Sequence, residues 1–132
     1  WSSDVCSSDL LVIACVTNKI SRYTTPLLER TGIAACFACL VTGDAVSELK
    51  PSPEPYLKAC ETLRVSPSHA VVVGDSDNDM MAARRAGCRS FCVPYGYTEG
   101  ADPAGFDCDA HVVDLLDAAR RIRRMNDEEA VN

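Results

Sequence analysis

Ala70-Val71-Val72-Val73-Gly74-Asp75-Ser76-Asp77-Asn78-Asp79 is the stretch that decides the fold. From Ala70 to Val73 every residue is apolar, as in a strand buried on both faces of a parallel sheet. Gly74 follows as a turn, and Asn78 to Ala86 reads as a helix with Asp77 or Asn78 as N-cap and Gly87 as its C-terminal stop. Open α/β sheets bind ligands at the carboxyl ends of their strands, so Asp75 and Asp79 stand where chemistry is expected. Hard carboxylate oxygens there suit Mg²⁺, which takes one or two carboxylates together with water and phosphate oxygens. An acidic loop that merely caps a helix is the plainer reading of the same residues.

Two upstream segments favour the metal reading. Leu11 to Val16 is a second all-apolar strand candidate, and it ends in Thr17-Asn18-Lys19, where a hydroxyl and backbone N–H groups can hold an anion. Lys50-Pro51-Ser52-Pro53-Glu54-Pro55 places Lys50 in a rigid turn ahead of a helix over 53–64, with Ser52 as N-cap and Pro53 as first helical residue. The rest of the chain alternates in the same way. Helices are expected over 21–31, stopped by Gly32, and over 115–125; strands over 37–42, 90–93 and 111–113; and a Gly-, Asp- and Pro-rich loop over 98–109. Such alternation specifies a doubly wound parallel sheet.

The order hydroxyl, lysine, Gly-Asp-x-x-x-Asp resembles the second, third and fourth motifs of the haloacid dehalogenase superfamily, and within it the bacterial phosphoglycolate phosphatases. The matching text is Val16-Thr17-Asn18-Lys19, Gly43-Asp44, Lys50-Pro51-Ser52-Pro53, Gly74 to Asp79 with Ala82-Ala83 and Ala86-Gly87-Cys88, and Pro94-Tyr95-Gly96-Tyr97. The resemblance implies an α/β Rossmann-like core and a Mg²⁺-dependent phosphate monoester hydrolase acting through an aspartyl-phosphate, with 2-phosphoglycolate as substrate. It also implies roles: Thr17, Asn18 and Lys50 bind the phosphate, Thr17 and Lys50 assist catalysis, Asp75 holds Mg²⁺, and Ser76 and Asp79 support the site.

The superfamily's first motif, Asp-x-Asp-Gly-Thr, supplies the nucleophile and the acid/base, and these 132 residues do not contain it. Asp75-x-Asp77 belongs to the fourth motif, and Asp107-x-Asp109 has neither strand context nor a following Gly-Thr. A helical cap between the first and second motifs is missing too. The expectation is therefore a fragment whose first strand and cap are absent, inactive by itself, with a core over 11–125, a tail over 126–132, and a leader over 1–10. The leader's near-duplicated Ser-Ser-Asp text resembles a translated adaptor scar and is set aside from fold reasoning.

Composition narrows the classes. A net charge of −6 argues against nucleic acid as partner, and no apolar run reaches the length of a membrane span. Arg120, Arg121, Arg123 and Arg124 are followed by Asp127, Glu128 and Glu129, the mark of a solvated mixed-charge helix. The eight cysteines, with no paired zinc spacing around Cys36-x-x-Cys39, read as free thiols in a reducing cytosol. His69 and His111 have no ligand-spaced neighbour and read as structural. Open alternatives are a phosphoglucomutase or pyrophosphatase of the same superfamily, a receiver-type phosphoacceptor domain, in which the acidic pair would precede Thr and Lys, and a noncatalytic binding module.

Overall fold

The computed structural model describes residues 11–96 and 100–131, and side chains through Glu128. The leader over 1–10 and Tyr97 lie outside the described residues. Among the described residues five strands and four α-helices alternate except between the fourth and fifth strands: β1 (Ala14–Val16), α1 (Ser21–Thr31), β2 (Cys39–Val41), α2 (Glu54–Leu63), β3 (Val71–Gly74), α3 (Asp77–Ala86), β4 (Arg89–Cys92), β5 (Ala110–His111) and α4 (Leu115–Val131).

The strands form two separate parallel sheets. β1 pairs with β2, and β3, β4 and β5 pair in that order. Period-2 alternation sorts the larger sheet's side chains between two helical layers. Val72 and Cys92 pack with Met80, Ala82, Ala83 and Ala86 of α3 and with Tyr56 of α2. Val71, Val73, Phe91 and Val93 turn the other way, onto Ala118, Ile122 and Met125 of α4. The small alanines of α3, with Ala82 and Ala83 fully buried, let that helix sit close against the sheet.

Between β1 and β3 runs a cleft of about 610 Å³, lined by residues 11–16 of one sheet and Val71 to Val73 of the other. Among the described residues no ladder joins β1 to β3, so the parallel strands that the alternation specifies fall into two sheets at this point.

Element ends depart from the sequence reading by a residue or more. The first strand starts at Ala14, because pairing with β2 begins only where Ile13 accepts the Ala38 N–H; Val12 is left 65% exposed. Gly74 ends β3 in register with Cys92 rather than turning out of it. The N-cap of α3 is Ser76, whose hydroxyl accepts the Asp79 N–H, and not Asp77 or Asn78. Pro53, not Ser52, takes the N-cap position of α2; Ser52 Oγ accepts the Glu54 N–H from outside. The last helix continues to Val131, well past Met125 and into the stretch expected as a tail.

Cys36 is disulfide-bonded, which corrects the reading of the cysteines as free thiols; Cys15, Cys39, Cys60, Cys88, Cys92 and Cys108 are free. His111 also has a neighbour that the spacing did not reveal, since its Nε2 lies 3.5 Å from Cys108 Sγ. Among the described residues no helix is long and apolar enough to cross a membrane.

Candidate active site

Thr17 leaves β1 still bonded to the sheet, its N–H donating to Val41 O at 2.9 Å. Its hydroxyl oxygen accepts the Lys19 N–H at 3.1 Å, which folds the next two residues into a tight turn and leaves the hydroxyl proton free to donate outward. The Asn18 side chain does something else. Its Oδ1 accepts the Lys50 N–H at 2.9 Å and its Nδ2 donates to Lys50 O at 3.1 Å, a two-bond ring joining residues 32 positions apart. That amide is committed to protein, so only the backbone of Asn18 remains for an anion.

The turn is strapped from a second side. Gly43 N–H donates to Lys19 O at 2.9 Å, and a β-carbon at Gly43 would lie 2.1 Å from Asn18 O, so the two backbones approach as only glycine permits. Asp44 then accepts both the N–H and the hydroxyl of Ser21, at 2.9 and 2.6 Å. It thereby caps α1, whose own N-cap residue, Ile20, offers no side-chain bond. The hydrogen bonds from the Ser21 hydroxyl, the Thr42 hydroxyl and the Ser21 N–H hold the Asp44 carboxyl far below its usual range.

Lys50 carries the turn's charge toward the other sheet. Its ammonium donates to Val16 O at 3.1 Å and to Asp79 Oδ1 at 2.6 Å, with both side chains only 10% exposed. It also lies 5.6 Å from the centroid of the Tyr56 ring. The Tyr56 hydroxyl, 3.4 Å from Asp79 Oδ1, completes the surround. Burial first, then the Asp79 charge, pushes the Tyr56 hydroxyl well above its ordinary value, so it stays a proton donor. Sequence reasoning missed Tyr56; the only signal was its place on the first turn of a helix that begins four residues after Lys50.

Asp79 is the organiser of the far side. Burial is the largest single influence on its carboxyl and raises it. The Lys50 charge and hydrogen bond, with those from the Asp75 N–H and Ser76, together outweigh burial and hold it below 3.8. Asp75 shifts the other way, raised by burial and then by the neighbouring Asp79 charge. Over it folds the segment after β4: at Gly96, with φ 132°, a β-carbon would sit 2.1 Å from Asp75 Oδ2.

Thr17, Lys50 and Asp75 are therefore brought to neighbouring carboxyl ends of β1 and β3, with Lys50 spanning the two. Asp75 offers a hard oxygen donor of the kind Mg²⁺ takes. Yet no group of three or more candidate ligating side chains occurs among the described residues, and Asp79 is engaged by Lys50. The donor set fits one protein ligand to such an ion and does not by itself complete a metal centre.

The chain's relatives bear on these features. It is 46% identical over 112 residues to phosphoglycolate phosphatase of Nitrosospira multiformis, covering 85% of this chain and 49% of that protein. It is 45% identical over 114 residues to the phosphoglycolate phosphatase of Thiobacillus denitrificans, covering 86% and 50%. The chain thus spans about half the length of these relatives. Its fold superposes with a TM-score of 0.84 on the crystal structure of a predicted phosphoglycolate phosphatase from Haemophilus somnus, at 30% identity over 90% of this chain and 54% of that one. The family model for haloacid dehalogenase-like hydrolases matches residues 7–93, so the chain belongs to the haloacid dehalogenase-like hydrolase family.

Proposed function

We propose that this chain supplies the phosphate-binding and cation-binding half of a phosphate monoester hydrolase, with 2-phosphoglycolate as the substrate of the whole protein. The observation that carries the reading is the Lys50 ammonium, buried between Val16 O and Asp79 at the ends of two sheets and beside the Thr17 turn. A buried cation held there has a use in phosphoryl transfer. A phosphate monoester dianion repels nucleophiles, and in-line positioning together with fixed positive charge removes that barrier.

Thr17 would donate its hydroxyl proton to a phosphoryl oxygen, with the Asn18 backbone N–H alongside. Lys50 would neutralise a second oxygen while Asp79 and Tyr56 hold its ammonium in place. Asp75 would hold Mg²⁺, which when bound polarises the phosphoryl group as a Lewis acid. The covalent step we assign to the whole protein is attack of an aspartate carboxylate on phosphorus; the alcohol leaves, and water then cleaves the aspartyl-phosphate. That nucleophile lies in no motif of these 132 residues, so the chain alone is expected to turn nothing over. The six free cysteines among the described residues fit a cytosolic setting, against which the disulfide at Cys36 stands.

The test joins residues 11–132 behind an Asp-x-Asp-Gly-Thr strand and helical cap and measures phosphate released from 2-phosphoglycolate with and without Mg²⁺. We expect hydrolysis in the fusion alone, abolished by Asp75→Asn or Lys50→Ala. Metal-dependent hydrolysis by the chain without the added motif would refute the assignment of roles. A fusion that prefers glucose phosphates or pyrophosphate would overturn the substrate.

A further inference from the structure

We propose that Asn18 is a positioning residue for Lys50: its side-chain amide, standing in for a peptide group, fixes the backbone from which the Lys50 side chain reaches across to the second sheet. The proposal rests on the reading of Lys50 as the charge partner of phosphate, and it makes the Asn18 side chain a template for that site while the backbone N–H stays available to the anion.

A lysine is a point charge on four rotatable bonds, and its tip is placed only as well as its backbone is held. Here the backbone of residue 50 lies in a loop outside any helix or strand. Its N–H and its C=O are both taken by Asn18, at 2.9 and 3.1 Å. Only a primary amide carries a donor and an acceptor in that geometry, so Asp, Ser or Ala can satisfy at most one of the two bonds. At the far end the ammonium meets Val16 O and Asp79 Oδ1. Asn18 and Val16 are two residues apart on the same turn, so Lys50 is bonded at both its backbone and its tip to one short segment.

The need for such a clamp follows from the topology. Among the described residues β1 and β3 share no strand pairing, and no ladder sets their relative position. The Lys50–Asp79 contact joins the two sheets at their carboxyl ends, and Asn18 sets where that tether starts. Thr17 precedes Asn18 and carries the hydroxyl offered to phosphate, so hydroxyl and ammonium are held at a fixed separation through one side chain. Gly43, packed against Asn18 O, keeps the turn from sliding along β2.

The experiment uses the 132-residue chain labelled at lysine with ¹³C and ¹⁵N, the Lys50 signals being identified by their loss in Lys50→Arg. In the wild type the Lys50 ε-carbon signal should be displaced by the Tyr56 ring, and its ammonium protons should exchange slowly. Asn18→Ala should move that signal to the position of an exposed lysine and bring its ammonium protons into fast exchange. Asn18→Asp, which keeps the acceptor for the Lys50 N–H, should recover part of the wild-type signature. Inorganic phosphate, titrated while the Thr17 and Lys19 amide signals are followed, should bind about tenfold more weakly to Asn18→Ala, as expected for one misplaced charge-assisted contact. A stability loss with the Lys50 signature unchanged would overturn the proposal by making Asn18 a mere loop staple. Should Asn18→Ala fail to fold, Asn18→Asp carries the comparison: a signature identical to wild type would overturn the proposal, and a partial displacement would support it. If the wild type binds no phosphate while the Lys50 signature still depends on Asn18, the functional reading fails and the positioning role stands.

Discussion

Asp79→Asn should be among the most damaging single-atom changes available to this chain. The carboxylate oxygens of Asp79 receive the Lys50 ammonium at 2.6 Å, the Tyr56 hydroxyl at 3.4 Å and the Asp75 N–H at 3.2 Å, in a site where both ionic side chains are 10% exposed. An amide in the same place keeps one acceptor oxygen and turns an NH₂ group toward either the Lys50 ammonium or the Asp75 N–H, so a donor faces a donor. In either orientation Lys50 loses the opposite charge that offsets its burial. Removing one partner of a buried ion pair costs about 3 kcal/mol or more. With a urea slope of about 1.5 kcal/mol/M, the unfolding midpoint should fall by about 2 M. That is a large part of a total stability of about 5–15 kcal/mol. Urea titration followed by circular dichroism measures the change, and Lys50→Met and the double substitution close the cycle. The pair is coupled, so the double variant should be more stable than the sum of the single losses predicts. A midpoint shift under about 0.3 M, or losses that simply add, would refute the claim that this ion pair is a coupled, stabilising contact between the two halves of the site.

Three further outcomes follow from the site. Gly96→Ala would drive a methyl group into the Asp75 carboxylate from a backbone φ of 132°; in the active fusion it should weaken Mg²⁺ activation more than phosphate binding, and parallel losses in both would argue against Asp75 as the cation ligand. Acid should destabilise the chain. Asp79, Asp44, Glu54 and Asp117 are all lowered in the fold, so the stability each contributes is present above its ordinary value and is lost as pH falls through the lowered one, beginning below about pH 4. Asp75, raised in the fold, opposes them by favouring the folded state once protonated. Thermal melts from pH 7 to pH 2 should therefore fall mainly at the acid end, less steeply in Asp79→Asn, and a flat profile would contradict the assigned directions. Tyr56→Phe keeps the ring near the ammonium and loses the hydroxyl bond to Asp79, so it should cost about 1 kcal/mol in urea unfolding, and a loss as large as that of Asp79→Asn would place the weight on the wrong contact.

What the sequence showed and what it hid divide along the distance over which a residue acts. The apolar run over 70–73, the stops at Gly32 and Gly87, and the proline-bounded turn at Lys50 are local signals, and the fold reproduces them within a residue or two. The order of hydroxyl, lysine and paired carboxylates was legible as a pattern. Its wiring was not. The Asn18–Lys50 ring closes over 32 residues and the Lys50–Asp79 pair over 29, and no periodicity announces either. Gly43 and Gly96 matched the family text, but the reason for each is a backbone or carboxylate from elsewhere in the chain pressed against its missing β-carbon. Tyr56 went unnoticed because its part depends on the Lys50 ammonium and the Asp79 carboxylate, which the fold brings to it. Cys36 misled as well, since one cysteine's place in the sequence does not reveal its pairing.

The cleft between β1 and β3 ties the completeness of the sheet to the completeness of the site. Alternation along a parallel ladder turns the peptide groups of Ala14 and Val16 away from β2, and those of Val71 and Val73 away from β4, so both rows face the cleft. Among these groups Val16 O accepts from Lys50, and strand edges without a ladder among the described residues are a liability in an isolated chain. A strand laid between them, parallel to both, would pair with the two rows at once. Its carboxyl end would emerge beside Thr17, Lys50 and Asp75, where a nucleophile is needed. Adding the first-motif strand should therefore slow hydrogen exchange at the Val16, Val71 and Val73 amides in the same variants that gain hydrolysis. A fusion that hydrolyses 2-phosphoglycolate while those amides exchange as fast as in the chain alone would show that the nucleophile enters the site by another route, and that the cleft is not its seat.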